Sequence, residues 1–292
     1  MSQTVAPTLA GWRAELSGAA REQRVAVIGC GTMGRAIVSG AVGSGAFAAD
    51  RLVLTSHSPE SASSLAEEIG RGARSYRDNS AACAESDVVI LCVKPKDVAV
   101  VLNELAASGA LAHGPLIISI AAGIRIAEIE ALLGGATPVI RAMPNTPCRI
   151  GKGMTVLSKG TLATDEQLAF ATEVFSSVGR CIALEEKHLD AVTAVSASGP
   201  AFVYVVIEAI SDGGVMCGLP RHVAFELVAQ MTLGAASMVL ESAEHPAMLK
   251  DDVTTPAGCT IAGLLALEDG RVRSVFARAV EATARVAAGL GH

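Results

Sequence analysis

Residues 24–34, "RVAVIGCGTMG", decide the architecture. A short apolar run, Val25 to Ile28, leads directly into Gly29-x-Gly31-x-x-Gly34. The first glycine permits a tight turn, the second lets the backbone approach a pyrophosphate, and the third lets a helix lie close on the strand. Phosphates then meet the unpaired amides of that helix's N-terminus. A purely structural glycine turn would carry the same letters. Here, however, the pattern follows the first strand of the chain and precedes several further strand–helix units. Ile28, Gly29, Cys30, Gly31, Thr32, Met33 and Gly34 therefore read as a dinucleotide-binding loop.

Working outward, "RLVLTS" (51–56), "DVVILCV" (87–93), "PLIISIA" (115–121) and "PVIRAM" (138–143) are short apolar runs rich in β-branched residues. Stretches with helical spacing separate them. That alternation predicts a parallel sheet covered on both faces, an α/β Rossmann-type dinucleotide-binding domain over residues 24–184. "GKGMTVLSKG" (151–160) reads as an added edge strand, and Thr164 with Gln167 forms a capping-box pattern for the next helix.

From about Glu185 the strand signals stop. Pro200 and Pro220 sit at helix starts and Gly218 at a helix end, which predicts helices near 200–217 and 220–241, another after the 251–258 loop, and a last one over 272–288. Residues 185–292 thus read as an all-α dimerisation domain. Residues 191–207 form a long uncharged stretch and read as part of a buried helix pair in a soluble protein, not a membrane span. "VAQMTLGAASMVL" (228–240) is apolar nearly all round, so a partner subunit is expected to cover it.

The dinucleotide's identity is read at the end of the second strand. A free ribose 2′-hydroxyl usually meets an Asp or Glu there. This chain has Thr55-Ser56-His57-Ser58, whose hydroxyls and imidazole suit a 2′-phosphate, so NADPH is favoured, with NADH as the alternative. Ser58-Pro59 would look the same as a plain helix start. Lys94 in "LCVKPKDV" (91–98) ends the third strand beside the expected cofactor, and Pro95 starts the next helix. Spacing alone leaves Lys94 equally readable as a solvated surface lysine.

Bulk properties narrow the remaining choices. The 292 residues suit two domains, and 51% hydrophobic against 18% charged residues excludes disorder. A net charge of −6 without any basic run argues against nucleic acid or an anionic membrane as a partner. Seven cysteines without a C-x-x-C pair point to reduced thiols in a cytoplasmic protein, with no metal site. Residues 1–23 read as an N-terminal extension, with a short helix around Trp12, and they do not look like a secretory signal.

Several segments then carry a resemblance. "IGCGTMG", "CVKP", "SIAAGI", "RAMPNTP", "SASGPAF", "DGGVMCGLPR" and "LKDDVTTPAGCTIAGLLALE" stand in the order seen in pyrroline-5-carboxylate reductases, over residues 24 to 285. The resemblance implies a Rossmann domain followed by a helical dimerisation domain, a homodimer or larger homo-oligomer, and reduction of 1-pyrroline-5-carboxylate to L-proline with NAD(P)H. It implies cofactor contacts at Ser56, His57, Ser58, Asn79, Cys92, Val93, Lys94, Pro95, Ala121, Ala122 and Gly123. Asn145 resembles a residue on the nicotinamide side, although an Asn–Pro turn would read alike. Thr255, Gly258, Cys259 and Thr260 resemble the substrate loop, with Thr260 as the catalytic contact to the ring nitrogen. Two departures stand out: Ala257 and Ala197 occupy positions where family members often have glycine.

That loop has almost nothing to titrate. Reduction of a cyclic imine asks for little more, since a protonated imine accepts hydride readily and the protein mainly binds, orients and excludes water. Spacing alone makes Thr254-Thr255-Pro256 an ordinary N-cap; the resemblance turns it into a carboxylate-binding helix start. A β-hydroxyacid dehydrogenase is the rival on this architecture, but "AFVYVVIEAI", after Gly199-Pro200, lacks the lysine such enzymes need. A cofactor-sensing regulator would not need an anion-binding helix start in its second half.

Overall fold

The computed structural model describes residues 19–289, so the expected helix around Trp12 lies outside the described residues. Among them, Gly199–Glu281 form one compact unit, and the residues up to Ser198 with those from Ala282 onward form the other.

The sheet-bearing unit runs α1 (Ala19–Glu22), β1 (Val25–Ile28), α2 (Thr32–Gly43), β2 (Leu52–Thr55), α3 (Pro59–Ile69), β3 (Arg74–Ser75), α4 (Asn79–Ala84), β4 (Val88–Leu91) and α5 (Pro95–Ser108). It continues with β5 (Leu116–Ser119), α6 (Ile126–Leu132), β6 (Val139–Met143), β7 (Gly153–Lys159), α7 (Asp165–Ser176), β8 (Gly179–Ala183) and the one-turn α8 (Leu189–Val192). The strands form one sheet in the order β3-β2-β1-β4-β5-β6-β7-β8. All neighbours are parallel except β6 and β7.

The apolar strands explain the layering. Val25 and Val27 join Ile37, Leu65 and Phe175 on one face, while Ala26 and Ile28 join Cys83, Leu102 and Ile129 on the other. Both faces are therefore dry, as a parallel sheet requires. The sequence order of strands reverses between β1 and β4, which opens a crevice beyond their carboxyl ends.

One expectation needs correcting. Residues 153–159 are not an edge strand, because β8 pairs with β7 on its outer side. Gly153 lies opposite Gly179, and a Cβ on Gly179 would stand 2.1 Å from the Gly153 carbonyl oxygen, so the bare Gly179 permits that close strand contact, while a Cβ on Gly153 would strike Cys148 Sγ. The capping box at α7 is present in both directions, Thr164 Oγ1 accepting from Gln167 N and Gln167 Oε1 from Thr164 N.

Beyond α8 a π-helical stretch covers Thr193–Ala197, with Ser198 N donating to Thr193 O at 2.9 Å. The helical unit then contains α9 (Gly199–Met216), α10 (Arg221–Ser242), α11 (Pro246–Asp252) and α12 (Cys259–Asp269), and α13 (Val272–Ala288) begins in it. α9 and α10 pack on each other around Ser211, Ala224 and Val228, which are their buried residues.

The expected burial of the 191–207 region is also corrected. The segments Glu186–Met216 and Arg221–Ser242 are long and apolar enough to cross a membrane by length and composition, yet only 11% of the apolar 18-residue stretch in each is buried within this chain. Their apolar sides face outward because a bundle of so few helices cannot wrap a helix that is apolar all round.

Candidate active site

The cofactor candidates meet along the carboxyl edge of the sheet. Ile28 is level with Thr55 on β2 and Leu91 on β4, and Leu91 is level with Ser119 on β5. The segments just past these residues are Gly29–Gly34, Ser56–Ser58, Cys92–Pro95 and Ala121–Gly123. Tertiary structure thus gathers four distant stretches into one rim.

The glycines of the loop are explained by what a side chain would strike. A Cβ on Gly29, which has φ +103°, would lie 2.6 Å from Cys92 O, and one on Gly34 would lie 2.0 Å from Gly29 O. A Cβ on Gly31 would meet nothing within 4 Å, so that side is open to an approaching group. Gly31 is also the N-cap of α2 and supplies no side-chain cap, which leaves first-turn amides free for an anion. This cradle fits a pyrophosphate.

The two cysteines of the rim are not nucleophiles. Burial pushes the Cys30 thiol up to about 11 and moves Cys92 further in the same direction, so both stay protonated. Cys30 Sγ donates to Thr55 O at 3.4 Å. Next to it, Thr55 Oγ1 donates to Asn79 Oδ1 at 2.7 Å, which fixes Asn79 at the first turn of α4 under the cap of Asp78. Lys94 is exposed at the N-cap position of α5 without a side-chain capping bond, and Pro95 takes the first helical place. Ala121 N donates to Ser119 Oγ at 3.3 Å, and Gly123 has φ +80°.

Asn145 has a different environment. Its Nδ2 donates to Ser196 O at 3.2 Å and Ser196 Oγ at 3.4 Å, while its Oδ1 accepts from Met154 N at 2.9 Å. The carboxamide therefore clamps the start of β7 to the π-helical stretch.

The candidate substrate loop lies in the helical unit. Asp251 and Asp252 close α11, and Thr254 Oγ1 donates back to Lys250 O at 2.8 Å, so Thr254 is a helix-end residue. Ala257 has φ +57°, the left-handed region that favours glycine. Gly258 is the N-cap of α12 and offers no side-chain cap. A Cβ there would stand 2.4 Å from Thr255 Oγ1, so the Thr255 side chain closes over the bare glycine. The first-turn amides of Cys259 and Thr260 head a helix without a capping group.

Among the described residues, the Thr260 hydroxyl, like that of Thr255, is unbonded within the chain. Thr172, Thr193 and Thr232 each donate to the carbonyl four residues back, the usual fate of a helical threonine. Thr260 sits in the first turn of α12, where the residue four back is Pro256, outside the helix. Among the described residues its hydroxyl has no hydrogen bond within the chain.

Arg141 was not foreseen from the sequence. It is 2% exposed in β6 and pairs through Nη1 with Glu186 Oε1 at 3.0 Å, with Asp190 Oδ1 3.9 Å from Nη2. The same Glu186 oxygen accepts from Ile126 N at 2.8 Å. One buried guanidinium therefore ties β6, the start of α6 and the segment leading to α9. The only signal was a lone charge inside the apolar run "PVIRAM".

Comparison with known proteins bears on the same regions. Residues 186–290 match the family described as pyrroline-5-carboxylate reductase dimerisation, and residues 24–123 match the domain described as NADP oxidoreductase, coenzyme F420-dependent. The pyrroline-5-carboxylate reductase of Schizosaccharomyces pombe is 43% identical over 278 residues, covering 91% of this chain and 98% of that protein. The chain belongs to the pyrroline-5-carboxylate reductase family. The Arabidopsis thaliana member of the family is 40% identical over 90% of this chain and 93% of its own. Among solved structures, the Coxiella burnetii family member superposes with a TM-score of 0.86 at 32% identity, over 92% of this chain and 99% of that one. The Plasmodium falciparum member, which has NADP bound, gives a TM-score of 0.83 at 28% identity, over 93% and 99% of the two chains.

Proposed function

We propose that this protein reduces 1-pyrroline-5-carboxylate to L-proline with NADPH. The observation that carries the reading is the pairing of two anion-ready helix starts in one family member: α2, fitted to a dinucleotide, and α12, headed by a bare glycine and an unbonded threonine hydroxyl. When bound, the reduced nicotinamide supplies the hydride. The amides at Cys259 and Thr260 hold the substrate carboxylate, as a helix start holds any small anion. The Thr260 hydroxyl hydrogen-bonds the ring nitrogen, which carries its proton as an iminium and keeps it when the neighbouring carbon accepts hydride. The product is then a secondary amine, and no metal or nucleophile of the protein is called for.

NADPH is favoured over NADH because no carboxylate occurs in Thr55-Ser56-His57-Ser58. We place cofactor binding in residues 24–184 and dimerisation in 185–292, with a homodimer formed through the outward apolar sides of α9 and α10 and the enzyme in the cytoplasm. Oxidation of NADPH on addition of pyrroline-5-carboxylate, set beside a 3-hydroxyacid with NADP, tests the reaction. Turnover of the hydroxyacid alone would overturn it.

A further inference from the structure

The specificity of the adenosine end has a contributor that the 55–58 stretch does not contain. β3 pairs with β2 so that Val53 faces Arg74 and Leu54 faces Ser75, and Tyr76 N donates to Leu54 O at 2.9 Å. Continuing that parallel register sets Arg77 beside Ser56, at the carboxyl edge where the adenosine ribose would lie. Successive side chains alternate between the two faces. Arg74 lies over the Tyr76 ring, bonds the Tyr76 hydroxyl at 3.0 Å and pairs with Glu85 at 3.5 Å, so this arginine is engaged. Ser75 takes the opposite side, its hydroxyl 3.3 Å from that of Ser63 on α3. Arg77, just past the strand, lines one cavity with Glu60 and Ser63 of α3.

That turn is poorly capped. Ser58 is the N-cap of α3, but its hydroxyl donates to Glu60 Oε2 at 2.8 Å and does not cap the helix. Arg77 is exposed and, among the described residues, forms no ion pair within 4 Å. A surface cavity of about 410 Å³ has Glu60, Ser63, Tyr76 and Arg77 in its wall. We infer that Arg77 is a specificity-determining residue that reads the 2′-phosphate of NADPH, with the Ser56 and Ser58 hydroxyls beside it and the Glu60 carboxylate as an opposing charge.

The chemistry fits. Guanidinium recognises a phosphate dianion by charge-assisted, often paired hydrogen bonds, and has nothing comparable to gain from a 2′-hydroxyl. Glu60 is held below the usual carboxylate range by its own backbone amide, then by Ser58, with a smaller contribution from Arg77. In the free protein Arg77 shares the cavity wall with two carboxylates, Glu60 and Glu67, and it gains the phosphate when the cofactor is bound. The inference rests on the NADPH reading and names the residue through which it operates.

The test uses the full chain and calorimetric binding of two fragments, 2′,5′-ADP and 5′-AMP, which differ by the 2′-phosphate. Wild type should bind 2′,5′-ADP more tightly. Arg77→Ala should lower that affinity about tenfold or more and leave 5′-AMP unchanged. Glu60→Gln should raise the affinity for 2′,5′-ADP severalfold, and Arg77→Lys should restore part of what Arg77→Ala loses. The NADPH-to-NADH ratio of kcat/KM should move in the same directions. Equal binding of the two fragments by wild type would overturn the NADPH reading itself. A preference for 2′,5′-ADP that survives Arg77→Ala would leave that reading intact and remove Arg77 from it.

Discussion

The two units solve burial in opposite ways. Strands β1, β2, β4 and β5 are buried at every residue, and the sheet is dry on both faces. In the helical unit α10 buries only Ala224 and Val228, while Leu227, Met231 and Met238 stand about half exposed along one side, four to seven residues apart. Burial supplies most of the favourable free energy of folding, at roughly 25 cal/mol per Å² of apolar surface. The sheet unit can obtain that from its own layers. The helical unit, as a single copy, leaves that stripe exposed, which is the surface proposed above for the dimer. The contrast separates a part that buries its apolar surface within one chain from a part that leaves an apolar stripe exposed.

The sharpest way to break that contrast is Met231→Arg. An unpaired charge in a dry interface costs several kcal/mol, so the assembly should dissociate, as read by sedimentation, while cofactor binding at the sheet unit persists in part. Retention of the wild-type mass would show that this stripe is not an interface. Arg141→Ala strikes the other unit. It removes the cation from Glu186, which keeps its bond from Ile126 N, and empties a buried site, so stability should fall by roughly 2–5 kcal/mol in denaturant unfolding, with Arg141→Met less harmful.

Thr260→Ala should lower kcat/KM by about ten- to a hundredfold, the worth of one hydrogen bond of 1–3 kcal/mol to a polar ring atom, with NADPH affinity nearly unchanged. Unaltered kinetics would take Thr260 out of the mechanism. The smallest effect is expected of Ala257→Gly. It exchanges left-handed strain against the greater chain entropy of glycine, and should raise stability by no more than about 1 kcal/mol. A clear loss of stability in the glycine variant would contradict the φ of +57° at this position.

Different parts of the molecule were legible to different degrees. The glycine loop was readable because two of its glycines answer a local demand, the positive φ at Gly29 and the close approach of Gly34 to Gly29 O. The capping box at Thr164 and Gln167 was readable for the same reason, since both partners lie within one turn. β8 was missed because its signal is the pairing of Gly153 with Gly179, two residues far apart in the chain. Arg77 was missed likewise. Nothing near it in sequence marks it, and only the register of a two-residue strand sets it beside Ser56.

The same division holds for the substrate loop. Its threonines look interchangeable as letters, yet Thr254 is tied to Lys250, while Thr255, folded over Gly258, and Thr260, in the first turn of α12, keep unbonded hydroxyls. By itself, the sequence determined the strand–helix alternation, the dinucleotide loop, the helical second half and the family, because local backbone demands and hydrophobic period are written residue by residue. Tertiary structure alone decided which face of each strand meets which helix, which arginine is buried and which is free, and which hydroxyl lacks a partner. Those depend on register and on the start of each helix, where a shift of one residue changes every contact.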